Sequence, residues 1–168
     1  TGVTVSRRGR IFVNFPRWSD DVEFTVGEVL EGRSVAYPDQ ATNQIDSVDL
    51  AAGLVSVQSV VVDPADRLWI LDTGRPLMQP ARVGGPKLAC VDLTSDRVVK
   101  TILFPEAVAF PETTYLNDVR FDLRRGSEGM AFITASADPG PNGLIVVDLA
   151  SGESWRRLHD HPSTKAEE

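Results

Sequence analysis

Three stretches of this chain repeat one pattern. Residues 2–15 read GVTVSRRGRIFVNF, residues 59–72 read SVVVDPADRLWILD, and residues 118–135 read DVRFDLRRGSEGMAFITA. Each is an alternating apolar run, a polar turn, and a second apolar run ending near an aromatic. Aligned on the turn, Ser6, Asp63 and Asp122 coincide, at steps of 57 and 59 residues. Alternation with period two is the signature of a strand. Self-similarity at a long fixed period marks a propeller or a solenoid.

The segments that follow extend the unit. KLACVDLTSDRVVKTILFP (87–105) and NGLIVVDLASGESWRRLHD (142–160) each contain two apolar runs split by a turn, at 94–96 and 150–152. Two such runs make a hairpin. The middle unit therefore holds four strands at roughly 59–63, 67–72, 87–92 and 97–104, and the first unit fits 2–6, 10–15, 22–29 and 33–37. No stretch reads as a long amphipathic helix. The expected fold is all-β, with three four-stranded propeller blades at about 1–40, 55–106 and 115–162. Closed propellers hold about four to eight blades, so residues 1–168 are expected to be half of one six-bladed domain. A three-blade arc leaves an apolar sheet face at each end, and such faces mark interfaces. The expected partner is the remaining half of the ring, from the chain's own C-terminal portion or from a second copy.

Composition narrows the function classes. Net charge is −7, with 24 acidic and 17 basic residues, which argues against a nucleic-acid partner, since that needs a basic face. No run reaches the ~18 apolar residues needed to span a bilayer. The single cysteine, Cys90, alternates inward in KLACVDL and is expected to pack as a small hydrophobe. No Gly-x-Ser-x-Gly, Walker or Cys-x-x-Cys motif occurs, so serine nucleophile and phosphate-loop chemistry find no support. His159 and His161 form a His-x-His pair, a zinc-like spacing, but no third ligand lies nearby and a solvated edge is expected.

Several segments resemble one family. VSVQSVVVDPADRLWILDTG (55–74), GGPKLACVDL (84–93) and ILFPEAV (102–108) look like the major royal jelly protein/yellow family in its bacterial branch. GRIFVNFPRW (9–18), TYLNDVRFD (114–122) and SWRRLHDHPS (154–163) are similar too. The resemblance implies the N-terminal half of a six-bladed propeller that binds a small molecule in or above its central channel. It also implies a secreted or periplasmic location. Some insect members bind small amines, and they carry disulfides that one cysteine cannot form within this chain.

The repeat itself points to a site. In a propeller the innermost strand of each blade lines the channel, and the residue before it stands at the mouth. Alignment puts Thr1, Gln58 and Asn117 there, followed by Gly2, Ser59 and Asp118. Converging amide and hydroxyl groups suit a polar ligand or a hard cation, since calcium takes about six to eight oxygen ligands. Leu116-Asn117-Asp118-Val119 resembles the Asn-Asp step of gluconolactonase and senescence-marker propellers, where the Asn contacts a central metal. That resemblance implies an alternative, a metal-dependent lactonase-like hydrolase with calcium at Asn117 polarising a carbonyl and activating water. Asn117 and Asp118 otherwise turn the chain into the strand.

The loops after each second strand, 16–21, 73–86 and 137–141, share one face by propeller geometry. They supply Arg17 and Trp18, which can stack on a flat ligand, and Arg75 in a Gly- and Pro-rich loop of the kind that carries binding residues. Asp72 ends an apolar strand and either caps the Thr73-Gly74 turn or faces the channel. Phe12, Trp69 and Phe132 align in the second strands and are expected to pack between blades.

Overall fold

The computed structural model describes residues 2–19, 21–44, 49–137 and 140–165. Sheet 1 contains β1 (Gly2–Val5), β2 (Ile11–Asn14), β3 (Val26–Leu30) and β4 (Arg33–Ala36). Sheet 2 contains β5 (Val57–Val62), β6 (Arg67–Asp72), β7 (Lys87–Asp92) and β8 (Arg97–Leu103). Sheet 3 contains β9 (Tyr115–Asp122), β10 (Met130–Ser136), β11 (Gly143–Asp148) and β12 (Ser154–Arg157). Each sheet is an antiparallel meander in chain order. The only helical elements among the described residues are two short 3-10 turns, Pro76–Met78 and Pro162–Thr164. The first strands β1, β5 and β9 lie beside one another, an arrangement consistent with consecutive propeller blades.

The aligned turn residues hold the first hairpin of every sheet. Ser6 Oγ accepts from the Arg10 amide, Asp63 Oδ1 from the Ala65 and Arg67 amides, and Asp122 Oδ1 from the Arg124 amide. Asp63 does more: its Oδ2 accepts from Arg67 Nε and from Trp69 Nε1, both at 2.8 Å. A short acceptor in the turn thus satisfies amides that the hairpin leaves without ladder partners.

Two cores follow from the alternation. Phe12, Val26, Leu68, Ile70, Ala89 and Val91 fill the space between sheets 1 and 2. Trp69, Leu71, Cys90, Val119, Ile133 and Ile145 fill the space between sheets 2 and 3. Polar ties cross the first interface: Asn14 Nδ2 donates to the Val57 carbonyl, the Val62 amide donates to Thr4 Oγ1, and Tyr37 Oη donates to Asp96. Arg10 binds Glu28 and Asp96, each at 2.7 Å.

Phe12 and Trp69 are fully buried, each facing the sheet that follows in the chain. Phe132 differs from the expectation. It is half-buried, in a cross-strand row with Val146 and Trp155 on the outer face of sheet 3. At the other end Val3, Val5 and Ile11 are 67%, 56% and 37% exposed on sheet 1.

Two strands begin earlier than alternation predicts, and one, β3, begins later, at Val26 rather than at residue 22. β5 starts at Val57 and β9 at Tyr115 rather than at residues 59 and 118. Each contains a bulge near its start. The register with β6 jumps between Val57 and Ser59, leaving Gln58 unopposed; that with β10 jumps between Leu116 and Asp118, leaving Asn117 unopposed. A bulge breaks the two-residue period and re-aims one side chain.

Candidate functional site

The two bulges aim equivalent residues at one place. Gln58 and Asn117 meet, Gln58 Nε2 donating to Asn117 Oδ1 at 3.3 Å. The residues after them meet as well, Ser59 Oγ donating to Asp118 Oδ1 at 2.9 Å. The bulge frees the Asp118 amide from the ladder, and it donates to Thr134 Oγ1. In sheet 1 the corresponding Gly2 amide donates to Asn14 Oδ1. Thr1, the third residue expected at this level, lies outside the described residues.

A chain of hydrogen bonds continues from Gln58 across all three sheets. Trp18, on the β2–β3 loop, donates its indole N–H to Tyr115 Oη at 2.7 Å, with Gln58 Oε1 at 3.2 Å. Tyr115 Oη donates to Gln58 Oε1 at 2.7 Å. Burial pushes the Tyr115 phenol pKa up, and the Trp18 hydrogen bond opposes part of that shift. The phenol therefore stays protonated, and so able to donate, at neutral pH.

Asp118 is not a free carboxylate. Arg120 Nη1 contacts it at 2.7 Å, and the Val119 amide also donates to it. Beside these residues runs an open groove of about 510 Å³ along the first strands, lined by Gly2, Thr4, Gln58, Asn117, Asp118 and Arg120 among others. A second cavity of about 540 Å³ lies on the far side of Tyr115, lined by Arg75, Met78, Glu112, Tyr115, Ser136 and Asn142 among others. Arg75 fixes that side: Nη1 donates to the Thr114 carbonyl and Nε to the Gln79 carbonyl, both at 3.0 Å.

The β6–β7 loop forms the rim. Gly74 has φ +65°, and a Cβ there would meet Gly85 and Pro86 backbone atoms at 2.6 Å. Only glycine permits so close a closure of the loop on itself. The loop tip then reaches the β2–β3 loop, where the Leu77 amide donates to the Arg17 carbonyl. Leu77 and Met78 both adopt positive φ, at 53° and 57°, and both side chains are exposed, as is Trp18.

Two expected site residues sit inside the fold instead. Asp72 is fully buried and caps the turn, its oxygens accepting from the Gly74, Val55 and Ser56 amides and from Lys87 Nζ. It does not face the groove. Arg17 is buried too, donating to the Val55 and Asn43 carbonyls, so its guanidinium is not presented for stacking. Gln58, Asn117 and Asp118 line the groove, Trp18 joins them through its hydrogen bond to Gln58, and Arg75 borders the adjoining cavity. Tyr115 and Arg120 were not anticipated. A signal for Tyr115 existed, since it stands two residues before the bulge in TYLND. His159 and His161 do not act together: His159 Nδ1 accepts from Arg156 Nε, while His161 Nδ1 accepts from the Ser163 amide. Among the described residues no group of three or more His, Cys, Asp and Glu side chains is placed to hold a metal.

These features define an all-β repeat protein whose successive sheets converge on one polar site. Residues 55–167 match the family described as Major royal jelly protein. The chain is 32% identical over 164 residues to L-dopachrome tautomerase yellow-f of Drosophila melanogaster, covering 90% of this chain and 37% of that protein. It is 33% identical over 128 residues to Major royal jelly protein 1 of Apis mellifera, covering 73% of this chain and 28% of that one. To Protein yellow of Drosophila melanogaster it is 27% identical over 157 residues, covering 88% and 28% respectively. The chain belongs to the major royal jelly protein/yellow family. It spans between 28% and 37% of the length of these relatives.

Proposed function

We propose that this chain supplies three blades of a yellow-like β-propeller and binds a small, flat organic molecule in or above the central channel. The observation that carries the reading is the Trp18–Tyr115–Gln58 cluster, to which the β2–β3 loop, β9 and β5 each contribute one side chain. Cross-sheet polar clusters on an open groove are costly as packing and useful as recognition. The exposed apolar side chains of Trp18, Leu77 and Met78 give a ring-shaped ligand a surface to rest on. The paired positive φ values at Leu77 and Met78 support the same reading, since such backbone strain concentrates at ligand-binding sites. One relative bears the name of a tautomerase of L-dopachrome, which favours a small-molecule ligand here.

The exposed Val3, Val5 and Ile11 of sheet 1 and the half-buried Phe132 and Trp155 of sheet 3 support a ring completed by further blades, from the chain's own C-terminal portion or a second copy. A second reading, the lactonase-like hydrolase with calcium at Asn117, draws on the exposed position of Asn117 in the groove. Side-chain NMR during addition of a panel of small aromatic compounds tests the first reading. The Trp18 indole and the Gln58 and Asn117 amide signals are expected to shift together. Shifts confined to sheet edges or to the outer faces contradict it.

A further inference from the structure

The hydrogen-bond cluster has a direction, and its direction sets what the groove accepts. An indole N–H can donate and cannot accept. Trp18 therefore starts the chain, and Tyr115 Oη, 2.7 Å away, is an acceptor toward it. The phenol has one proton left to give, and Gln58 is the group it meets, at 2.7 Å. The Gln58 atom there must be the oxygen, because a reversed amide would set its NH2 against the indole N–H as well. Gln58 then presents its NH2 to Asn117, whose near atom must be the oxygen. The far end of the chain is the Asn117 NH2, exposed in the groove.

We infer that this groove is a donor site: the Asn117 NH2, with the second N–H of Gln58, binds a carboxylate or carbonyl oxygen of a small flat molecule. The inference rests on the small-molecule reading above and names its ligand class. Asp118 points the same way. Arg120 neutralises it, and Ser59 and the Val119 amide donate to it, so no unpaired carboxylate remains there to hold an ammonium group or a metal ion. Asn117 Oδ1, the atom that calcium would need, already accepts from Gln58 at 3.3 Å, and among the described residues no group of three or more His, Cys, Asp and Glu side chains stands beside it to complete a metal site. Recognition of an acceptor by amide donors is favourable when those donors are held in place before the ligand arrives, and Trp18 and Tyr115 hold them.

Isothermal titration of the whole chain at neutral pH with benzoate, with benzylamine and with calcium chloride alone tests this. The two organic probes share a ring and differ in whether the polar group accepts or donates. Benzoate is expected to bind and benzylamine to bind at least about tenfold more weakly. Asn117→Asp keeps the acceptor that Gln58 needs but replaces the groove-facing donors with oxygen. It is expected to lower benzoate affinity at least about tenfold and to raise that for calcium. Trp18→Phe removes the group that sets the direction, and benzoate preference over benzylamine is expected to shrink. Circular dichroism and melting of both variants establish that they fold; both sites are exposed, so little change is expected. Tighter binding of benzylamine or calcium by the native chain overturns the inference while leaving a ligand-binding groove in place. Unchanged benzoate affinity in a folded Asn117→Asp variant overturns it as well. If none of the three probes binds, the groove reading and the donor inference fall together.

Discussion

Among single residues, the buried pair Asp72–Lys87 bears most on the integrity of the site's rim. The ammonium and the carboxylate are 2.9 Å apart and both side chains are essentially sealed from solvent. Lys87 also donates to the Leu50 and Gly85 carbonyls, and Asp72 accepts from the Gly74 amide at the start of the β6–β7 loop and from the Val55 and Ser56 amides before β5. Removing one partner leaves a buried charge uncompensated, which costs about 3–5 kcal/mol. Lys87→Met is therefore expected to lose about that much stability in urea denaturation, although it keeps the stem's apolar contacts. A loss within the scatter of surface variants would show that the pair is not an organising element. Cys90 gives a pH test. Burial pushes its thiol from an ordinary value of 9.0 up to about 11. The fold holds the proton more tightly than the unfolded chain does, so this stabilisation is complete below about pH 9 and disappears as pH rises toward 11. The native protein is expected to resist thiol-directed reagents at neutral pH. Its alkaline loss of stability should flatten in Cys90→Ala, and an equally steep limb in that variant would place the titration elsewhere.

For the elements, the repeat makes a comparison between like positions possible. Trp69 and Phe132 occupy the same place in the second strand of successive sheets, but Trp69 is 1% exposed between sheets 2 and 3 while Phe132 is half-buried on the outer face of sheet 3. Trp69→Ala is expected to cost about 3–5 kcal/mol, the range for large aromatic truncations in a core. Phe132→Ala in the isolated chain should cost less than half of that. Equal losses by thermal melting would mean that the outer face of sheet 3 is covered. The same repeat explains which parts of the fold were legible. Apolar runs bounded by polar turns located the hairpins, because β6, β7 and β11 are buried along most of their length while the turns between them are polar. Alternation missed the starts of β5 and β9, because a bulge at Gln58 and at Asn117 breaks the two-residue period. Those residues were found instead by aligning the units. Asp72 was open between a cap and a ligand because its partners, Lys87 and the amides of 55–56, arrive from other segments. Tyr115 and Arg120 acquire their roles only through neighbours on the other sheets, which no local pattern records.

At the scale of the whole molecule, the two outer faces bear on assembly. Val3, Val5 and Ile11 are exposed on one side, and on the other Phe132 and Trp155 are half-buried beside the buried Val146, apolar residues of the kind that sheets bury against sheets. The chain is expected to scatter light as a species larger than its 18.3 kDa mass. Val5→Glu puts a charge into one face and is expected to shift the distribution toward that mass without lowering the melting temperature. A native chain that is monodisperse at 18.3 kDa would contradict association through these faces. Donor-directed binding at a groove shared by three sheets is tested most directly by a crystal structure of the protein grown with benzoate. The expected density lies between Gln58 and Asn117, one carboxylate oxygen within hydrogen-bond reach of the Asn117 NH2 and the ring toward Trp18. Benzoate seated only on the outer faces, with the groove empty, would contradict it.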